Sequence, residues 1–420
     1  MEEIEILDID GFDDNKKETT EEYVVKKKRV LKKIKFKKTK KNNKKESKKT
    51  TDSKSSAKKD TKKTIESKKE SKKTIKKAKK KDKKKKKLKL ITKILFILDL
   101  GALACLFVAY GPFYELQSLF VTSSLETMTH KYLARTIYSQ ETLDDFLANN
   151  TIIEVEGNTD ASSITFIDIT EQETYLSIYE EQILKKDEDN DLYKVIEISG
   201  DDYVGKIIVV YDPSRLDLVT SEYINYGGQQ LDSLIESYGG VAGINASGFS
   251  IYSSGALNIV GTIIDDGVLI QDGNVSGFEG GIIGFNEDNV LILTKKSGQE
   301  AIDEDNIVDA INFGPFLIVN GETSTFVGNG GYGLASRTAI GQRQDGIVLL
   351  VVIDGRQVGY SLGVDMVELT DIMLKYGCYN ASNLDGGGSS TLYANGEVLS
   401  SPGGYGYSGN RYLPNAWVLK

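Results

Sequence analysis

The chain is poor in the two side chains on which many hydrolases and metal sites depend. Its 420 residues contain two cysteines and one histidine. The histidine, His130, lies in a helix-like stretch that is far along the chain from every glycine-rich motif. The sequence therefore argues against a serine or cysteine hydrolase with a histidine base, and against a zinc site of histidine and cysteine ligands. Any catalysis is expected to depend on carboxylates, hydroxyls, amides and arginines.

The two cysteines are not expected to form a disulfide. Cys105 lies inside a long apolar run, and Cys378 lies far beyond it in the part of the chain that we predict to be exported. A single exported thiol without a partner is typical of a small buried residue rather than of a nucleophile.

Charge divides the chain into two parts. The first 100 residues hold 38 of the 53 lysines and arginines and 17 of the 61 acidic residues, which leaves residues 101–420 with a net charge of −29. Residues 26–93 are rich in Lys, Ser and Thr and hold almost no large apolar side chains. Because such a segment cannot bury enough apolar surface to offset chain entropy, we expect residues 1–93 to be a disordered tail.

An apolar run follows the basic segment immediately. Residues 94–110 carry one charge, Asp99, and extension through Phe113 gives about 20 residues, roughly the length that crosses a ~30 Å hydrocarbon core. Lysines lie densely on the N-terminal side only, and the positive-inside rule then places the tail in the cytoplasm and the rest outside. The sequence predicts a single-pass cell-membrane anchor over residues 94–113. A buried core helix and a cleaved export signal are the alternatives.

The basic tail is predicted to contact anionic lipids. It lies beside the membrane and has a single aromatic side chain, Phe36, among the lysines of residues 26–93, so we do not expect a specific nucleic-acid partner. Asp99, inside the apolar run, would either pair with another helix or lie near the membrane interface.

Residues beyond the anchor are predicted to form a helical stalk, residues 114–150, and an α+β domain, residues 151–420. Two helices are expected, Gln229–Tyr238 and Val364–Tyr376, because apolar side chains recur at helical spacing and glycine follows each of them. Short apolar runs that meet at turn dipeptides predict β-hairpins, and hairpins with packed helices give a mixed, largely antiparallel sheet. The turn dipeptides are Asp266-Gly267, Asn320-Gly321, Asp345-Gly346 and Asn395-Gly396.

Two further Asp-Gly pairs do not fit a hairpin turn. Asp354-Gly355-Arg356 follows the run 347–353, which is apolar on both faces and predicts a buried central strand. Asp385 precedes three glycines and two serines, a pattern that brings backbone N–H groups close to a ligand. A capped strand end with a local salt bridge is the alternative for Asp354, and a purely structural turn is the alternative for Asp385.

The order of several motifs resembles the phosphodiester glycosidase family over about residues 200–420. The anchored arrangement looks like those of Gram-positive bacteria. The motifs are Ile244-Asn245-Ala246-Ser247-Gly248-Phe249, Phe313-Gly314-Pro315-Phe316, Arg337-Thr338-Ala339-Ile340-Gly341-Gln342, Val352-Ile353-Asp354-Gly355-Arg356, Asn383-Leu384-Asp385-Gly386-Gly387-Gly388-Ser389-Ser390, and Arg411 with Pro414-Asn415-Ala416.

This resemblance implies hydrolysis at the anomeric carbon of a sugar-1-phosphodiester, such as an N-acetylglucosamine phosphodiester of a surface glycan. Such a reaction needs a cation for the phosphate and a carboxylate near the developing oxocarbenium ion. It also needs a base or nucleophile on the opposite face. Asp385 and Asp354 are the candidate carboxylates, and which of them is acid and which is base or nucleophile stays open.

The resemblance also implies a phosphate-binding set. We expect no metal and no other cofactor, because the sequence has no loop of closely spaced oxygen ligands, and a magnesium or calcium site at Asp354 and Asp385 is the alternative. Arg337 and Arg356 are the candidate cations, because a planar fork of donors suits phosphate oxygens. Arg411 could close the site, and Asn245 could hold a sugar hydroxyl or the carboxylates, or only fix a turn. The loop groups that could cradle phosphate are Gly386, Gly387, Gly388, Ser389 and Ser390.

A second class of function remains open at this point. A non-catalytic module that binds glycan and organises exopolysaccharide assembly would keep the pocket and the arginines but lack turnover. The presence of both Asp354 and Asp385 argues against it.

Overall fold

A computed structural model describes residues 61–127, 130–167, 174–187, 190–273, 280–401 and 411–420. The chain divides into two compact units, residues 1–97 and residues 98–420. The predicted tail lies outside the described residues from residue 1 to residue 60. Disorder there stays a prediction.

The first described helix, α1 (Thr61–Tyr110), begins in the basic segment and continues through the apolar run. The structure therefore differs from the predicted disorder over residues 61–93. Lysine is a good helix former, and neither glycine nor proline precedes Gly101 in this helix. The stretch Lys83–Tyr110 contains an 18-residue window with a mean hydropathy of 2.2 and is long and apolar enough to cross a membrane, which is compatible with a single-pass anchor.

Residues 114–150 are helical, as predicted, but they are folded back on themselves. The helices are α2 (Tyr114–Glu126), α3 (Lys131–Ile137) and α4 (Gln140–Ala148). They enclose a small apolar core of their own, so the segment is a compact helical cluster rather than an extended stalk. The core side chains are Val121, Ala134, Tyr138, Leu143 and Phe146.

Three larger sheets form the rest of the domain, and every strand pair in them is antiparallel among the described residues. The seven-stranded sheet has the order β14 (Glu322–Thr323), β13 (Phe316–Val319), β18 (Cys378–Leu384), β16 (Arg337–Arg343), β17 (Val348–Ile353), β3 (Val204–Val210), β2 (Tyr193–Ser199). One five-stranded sheet has the order β20 (Glu397–Val398), β19 (Leu392–Ala394), β5 (Ala242–Asn245), β21 (Asn415–Leu419), β4 (Leu216–Thr220). The other has the order β11 (Leu291–Thr294), β10 (Gly281–Asn286), β12 (Ile307–Phe313), β8 (Ile263–Asp265), β9 (Val268–Gln271).

The smaller elements complete the α+β fold that the sequence predicts. Two-stranded pairs join β1 (Thr151–Ile153) to β15 (Thr325–Val327) and β6 (Phe249–Ile251) to β7 (Leu257–Ile259). The remaining α-helices are α5 (Ile178–Leu184), α6 (Leu231–Ser237), α7 (Gly298–Asp305) and α8 (Met366–Lys375). Helices α6 and α8 lie within the two predicted helical ranges.

The seven-stranded sheet is buried on both faces, which confirms that β17 is a central strand. Leu350 and Val352 pack into a large core that includes Trp417, while Leu349 and Val351 pack on the opposite face with residues of α8. Successive side chains of a strand point to opposite faces, so a strand covered on both sides must be apolar throughout.

All four predicted hairpin turns are present. Asp266-Gly267, Asn320-Gly321 and Asn395-Gly396 each have positive φ at both residues, the backbone that short hairpins require. They connect β8 with β9, β13 with β14, and β19 with β20. The turn at Gly346, with φ of 89°, connects β16 with β17.

Candidate active site

Strand register brings the two unusual Asp-Gly pairs to one edge of the seven-stranded sheet. β16 is antiparallel to both β17 and β18, with Arg337 opposite Ile353 and Thr338 opposite Leu384. The chain leaves β17 at Asp354 and β18 at Asp385, so both carboxylates follow strand ends that meet beside the start of β16.

Asp385 has the environment of a group that exchanges protons near neutral pH. Its side chain is half-buried, and burial raises the pKa of its carboxyl to about 6. Hydrogen bonds from the Ser389 hydroxyl and the Gly386 N–H, together with the charge of Arg411, act against this rise. A carboxyl with this pKa is mostly ionised at pH 7 and can take up a proton readily.

Two of the three glycines after Asp385 lie beside arginine side chains, whereas a side chain at Gly386 would begin 3.0 Å from Ser336 O. A side chain at Gly387 would begin 3.5 Å from Nη1 of Arg356, and one at Gly388 would begin 3.8 Å from Nη1 of Arg411. Gly387 also has a φ of 62°, a conformation that other residues rarely adopt. Gly387 and Gly388 thus keep a gap free beside two guanidinium groups.

The backbone of this turn is occupied by internal hydrogen bonds. Gly387 N donates to Ser336 O at 2.8 Å, Ser389 N to Gly386 O at 3.2 Å, and Ser390 N to Gly387 O at 3.3 Å. These three N–H groups stabilise the turn, so they do not form the phosphate cradle expected from the sequence.

The hydroxyls of the turn differ in their surroundings. The buried Ser389 Oγ accepts from Nη1 of Arg411 at 3.0 Å and bonds to the Asp385 carboxylate, so it links the cation to the carboxylate. Ser390 is fully buried, and its Oγ has no hydrogen-bond partner among the described residues.

Arg411 and Arg356 are the arginines whose side chains reach this gap. The guanidinium of Arg411 lies over the ring of Phe249, 4.5 Å from its centroid, which fixes its orientation. Arg356 is exposed and has a φ of 59°, an uncommon backbone for a residue with a side chain. Its backbone N donates to Leu362 O at 3.0 Å, which holds this turn in place.

Arg337 lies elsewhere than a phosphate-binding role would require. Its side chain is 2% exposed, and its guanidinium donates from Nε to Val364 O at 3.2 Å and from Nη2 to Gly333 O at 2.5 Å. The guanidinium also lies 5.6 Å from the centroid of the Tyr332 ring. In this structure Arg337 connects backbone segments, and its Cδ lies 3.9 Å from the point where a side chain at Gly386 would begin.

Asp354 is likewise held by the protein. It is 1% exposed, Oδ2 accepts from the Tyr360 hydroxyl at 2.7 Å, and Oδ1 accepts from Ser401 N at 2.5 Å. Burial, followed by the hydrogen bond to Asp354, raises the pKa of Tyr360 to about 12, which keeps this donor protonated. These contacts support the alternative role, a capped strand end, with Tyr360 and Ser401 as donors in place of a salt bridge.

Asn245, at the end of β5, fixes the turn that carries Asp385. Its Nδ2 donates to Asp385 O at 2.7 Å, and its Oδ1 accepts from the Thr338 hydroxyl at 2.9 Å and from Thr391 N at 3.0 Å. Asn245 is 1% exposed, so of the roles left open by the sequence the structure favours the one that fixes a turn.

Sequence reasoning missed Phe249 and Tyr360 as residues that shape the site. Phe249 belongs to one of the motifs named above, but no sequence signal pointed to its contact with Arg411. Nor did any signal point to Tyr360.

One cluster of carboxylates lies on another sheet. Oxygens of Asp265, Asp266 and Asp309 lie within 4.8 Å of one another. Burial is the main reason that the pKa of Asp309 is raised to about 7, and its Oδ1 accepts from Asp266 N at 3.1 Å. Such oxygens are chemically able to bind a cation. The cluster belongs to β8 and β12 and not to the turns that carry Asp385 and Arg411.

Comparison with known proteins relates this arrangement to a family. Residues 238–420 match the family described as phosphodiester glycosidase. These residues resemble a phosphodiester glycosidase domain. The matched residues include Asp385, Arg356 and Arg411. They also include Asn245, which holds the turn that carries Asp385.

The domain is similar to proteins of known and unknown activity. The SPbeta prophage-derived uncharacterized protein YomE of Bacillus subtilis is 32% identical over 170 residues, which cover 38% of this chain and 25% of that protein. The N-acetylglucosamine-1-phosphodiester alpha-N-acetylglucosaminidase of Bos taurus is 27% identical over 159 residues, 34% of this chain and 29% of that protein. The chain thus spans about a quarter to a third of the length of these relatives.

Among solved structures, the catalytic domain of the zebrafish N-acetylglucosamine-1-phosphodiester alpha-N-acetylglucosaminidase, auto-inhibited by its pro-peptide, is 21% identical. The match covers 56% of this chain and 85% of that chain, with a TM-score of 0.46. A putative exported protein of Burkholderia pseudomallei is 17% identical, with a TM-score of 0.38.

Proposed function

We propose that the chain is a membrane-anchored, extracytoplasmic hydrolase that cleaves sugar-1-phosphodiesters, such as N-acetylglucosamine-1-phosphodiesters of a cell-surface glycan. The observation that carries the proposal is the Asp385 carboxyl, with a pKa of about 6, beside two arginines and within residues that resemble a phosphodiester glycosidase domain. The name of the bovine relative supplies the sugar class.

Two arginines bind the phosphate in the proposed reaction. Arg356 and Arg411 border the gap above Gly387 and Gly388, where a doubly ester-linked phosphate fits as the anion. They stabilise the negative charge that develops on the leaving phosphate, the main electrostatic requirement of this reaction.

Asp385 takes up the proton. Water attacks the anomeric carbon, the bond from that carbon to the phosphate oxygen breaks, and the sugar leaves with the water oxygen. The phosphate leaves as a monoester on the other partner, and the proton of the water passes to Asp385. Because phosphate is a good leaving group, a second carboxylate as acid is not needed, in keeping with the engaged oxygens of Asp354.

The deciding experiment is an assay of the purified full chain in detergent on a panel of sugar-1-phosphodiesters, with UDP-sugars for comparison. We expect free sugar and a phosphomonoester as products. Proton NMR of the first-formed anomer separates direct attack by water, which inverts the anomeric configuration, from attack by Asp385 itself, which retains it. Binding of these compounds without turnover would instead support the glycan-binding module.

The proposed location is tested in intact cells. Added protease is expected to remove residues beyond about 113 and to spare the basic tail, because lysines lie on one side of the apolar run. Digestion of the tail with protection of the C-terminal domain would contradict an extracytoplasmic enzyme.

A further inference from the structure

We propose that the helical cluster α2–α4 and the residues around it, residues 114–150, brace the active-site turns through the loop at residues 328–336. The functional unit then begins near residue 114, well before residue 238, where the family match begins. The kinetic part of this inference rests on the proposed function, whereas the physical connection does not.

The first connection is a hydrogen-bond hub at Asn329. Its Nδ2 donates to the Thr122 hydroxyl of α2 at 2.8 Å, and its backbone N donates to Asn150 Oδ1 at 3.1 Å. Asn150 in turn donates from Nδ2 to Phe146 O at the end of α4, at 2.7 Å. The loop is therefore held from both the first and the last helix of the cluster, by Thr122 and Asn150, whose side chains are almost fully buried, while Asn329 itself is half-buried.

The second connection is a close contact at Gly333. A side chain there would begin 2.0 Å from Ser123 Oγ and 2.5 Å from Ser123 N, so this part of the loop lies directly on α2. The carbonyl of the same glycine accepts from Nη2 of Arg337. Gly333 is thus held between α2 on one side and the buried arginine of β16 on the other.

The third connection leads from the loop to both active-site turns. Ser336 O accepts from Gly387 N at 2.8 Å, in the turn that follows Asp385. A side chain at Gly355, next to Arg356, would begin 2.4 Å from Ser336 N. One residue of the loop therefore contacts the turn that carries the carboxylate and the turn that carries a phosphate-binding arginine.

This chain of contacts explains the place of Arg337 as well. The sequence predicts that Arg337 binds phosphate. In the structure its hydrogen bonds connect the loop at residues 328–336 to β16, which begins at the site. Close-packed interiors transmit displacements, and a misplacement of about 1 Å can lower a rate about a hundredfold. A shift of α2 should therefore move Asp385 relative to Arg411 and lower kcat.

The test uses four variants of the full chain in detergent. Thr122→Val removes the hydroxyl that accepts from Asn329, and Thr122→Ser retains it. Gly333→Ala pushes the loop away from α2. Gly284→Ala is the matched control, because its added carbon would lie 2.1 Å from Asp309 O in a different sheet, away from the loop.

Two readouts are measured on each variant alongside thermal melting. Hydrogen exchange of peptides that cover residues 384–392 reports the Gly387 N–H bond without any turnover. The kinetic readout is kcat and KM on a sugar-1-phosphodiester, with the pH profile. Thr122→Val and Gly333→Ala are expected to speed exchange in this segment and to lower kcat about ten- to a hundredfold with little change in KM. Thr122→Ser and Gly284→Ala should leave both readouts at parental values.

Thr122→Val and Gly333→Ala could lower only the melting temperature and leave hydrogen exchange and kcat unchanged. That result would contradict the proposal that α2–α4 hold the active-site turns in position. The same holds if Gly284→Ala gives equal effects, since general destabilisation would then suffice. A parent protein that turns over no sugar-1-phosphodiester would contradict the proposed function instead. Hydrogen exchange would still test whether α2–α4 stabilise the turn that follows Asp385.

Discussion

The turns that follow β17 and β18 begin with the same dipeptide and differ in what surrounds the carboxylate. Asp354 is 1% exposed, and both of its oxygens accept hydrogen bonds from the protein. Asp385 is half-buried beside a glycine turn, with its pKa raised to about 6 and a guanidinium linked to it through Ser389. The comparison teaches that an Asp-Gly pair at a strand end has no fixed role. Its neighbours in space decide between a structural cap and a chemical group.

The largest expected effect separates the two aspartates. Asp385→Asn should retain substrate binding and lower kcat by about 10²- to 10⁴-fold, because it removes the proton acceptor. Asp354→Asn should lose about 1–3 kcal/mol of stability, because its amide nitrogen cannot accept from Tyr360 or Ser401, and should lower kcat far less. Kinetics and thermal melting of both variants make the comparison. Near-parental turnover in an Asp385→Asn variant that melts like the parent would remove Asp385 from the mechanism.

The arginines give the next largest difference. Arg411→Ala and Arg356→Ala should each lower kcat/KM for phosphodiesters by about 10²-fold, with little change in melting, because they lose a cation at the phosphate. Arg337→Ala should instead lower the free energy of unfolding by about 1–3 kcal/mol, since Gly333 O loses its donor and Val364 O keeps only the bond from Ala335 N. Isothermal titration with inorganic phosphate adds a readout apart from turnover. Weaker phosphate binding in Arg337→Ala, without loss of stability, would restore its predicted role.

The pH dependence sharpens the assignment of Asp385. With its pKa at about 6, kcat/KM should fall as pH drops through 6, because the protonated carboxyl cannot accept a proton. Arg411→Gln should move this acid limb to higher pH, since the charge of Arg411 lowers the pKa of Asp385. An acid limb that stays in place in this variant would point to another titrating group.

The raised pKa of Asp385 also predicts the direction in which stability changes with pH. The folded pKa of about 6 exceeds the usual 3.8, so the contribution of Asp385 to stability is present below about pH 4 and is lost as pH rises through 6. Asp385→Asn should therefore melt higher than the parent at pH 8, by more than at pH 5. Melting curves at the two pH values check this, with Asp354→Asn as the contrast.

The smallest expected effect is that of metal removal and of His130. Chelator treatment and His130→Ala should leave turnover within about twofold, because the proposed reaction takes its charges from Asp385, Arg356 and Arg411. Asp309→Asn is the companion variant, since Asp309 belongs to the carboxylate cluster on the other sheet. Loss of turnover in chelator that a divalent ion restores would contradict a reaction carried by the protein groups alone.

Local signals predicted the fold well because they act over a few residues. Asn320-Gly321 forms a hairpin turn since both residues adopt positive φ at low cost, and no distant contact is needed. The central strand β17 followed from apolar side chains on both faces, and α8 from apolar spacing with a stop at Gly377. Residues 61–93 are helical where the sequence predicted disorder, because a helix there continues into the apolar run. Local signals also did not show how the helices of residues 114–150 pack on one another, because that packing depends on contacts between segments.

The sequence by itself determined the hairpin turns, the two helices and the order of the motifs that carry Asp385, Arg356 and Arg411, because each depends on residues close together in the chain. Tertiary structure decided which charged groups face the gap. Arg337 and Arg411 look alike in sequence, but one is buried against backbone carbonyls and the other lies over Phe249 beside the glycine turn. Strand register and burial, which set the pKa of Asp385 and occupy the oxygens of Asp354, arise only when segments far apart in the chain pack together.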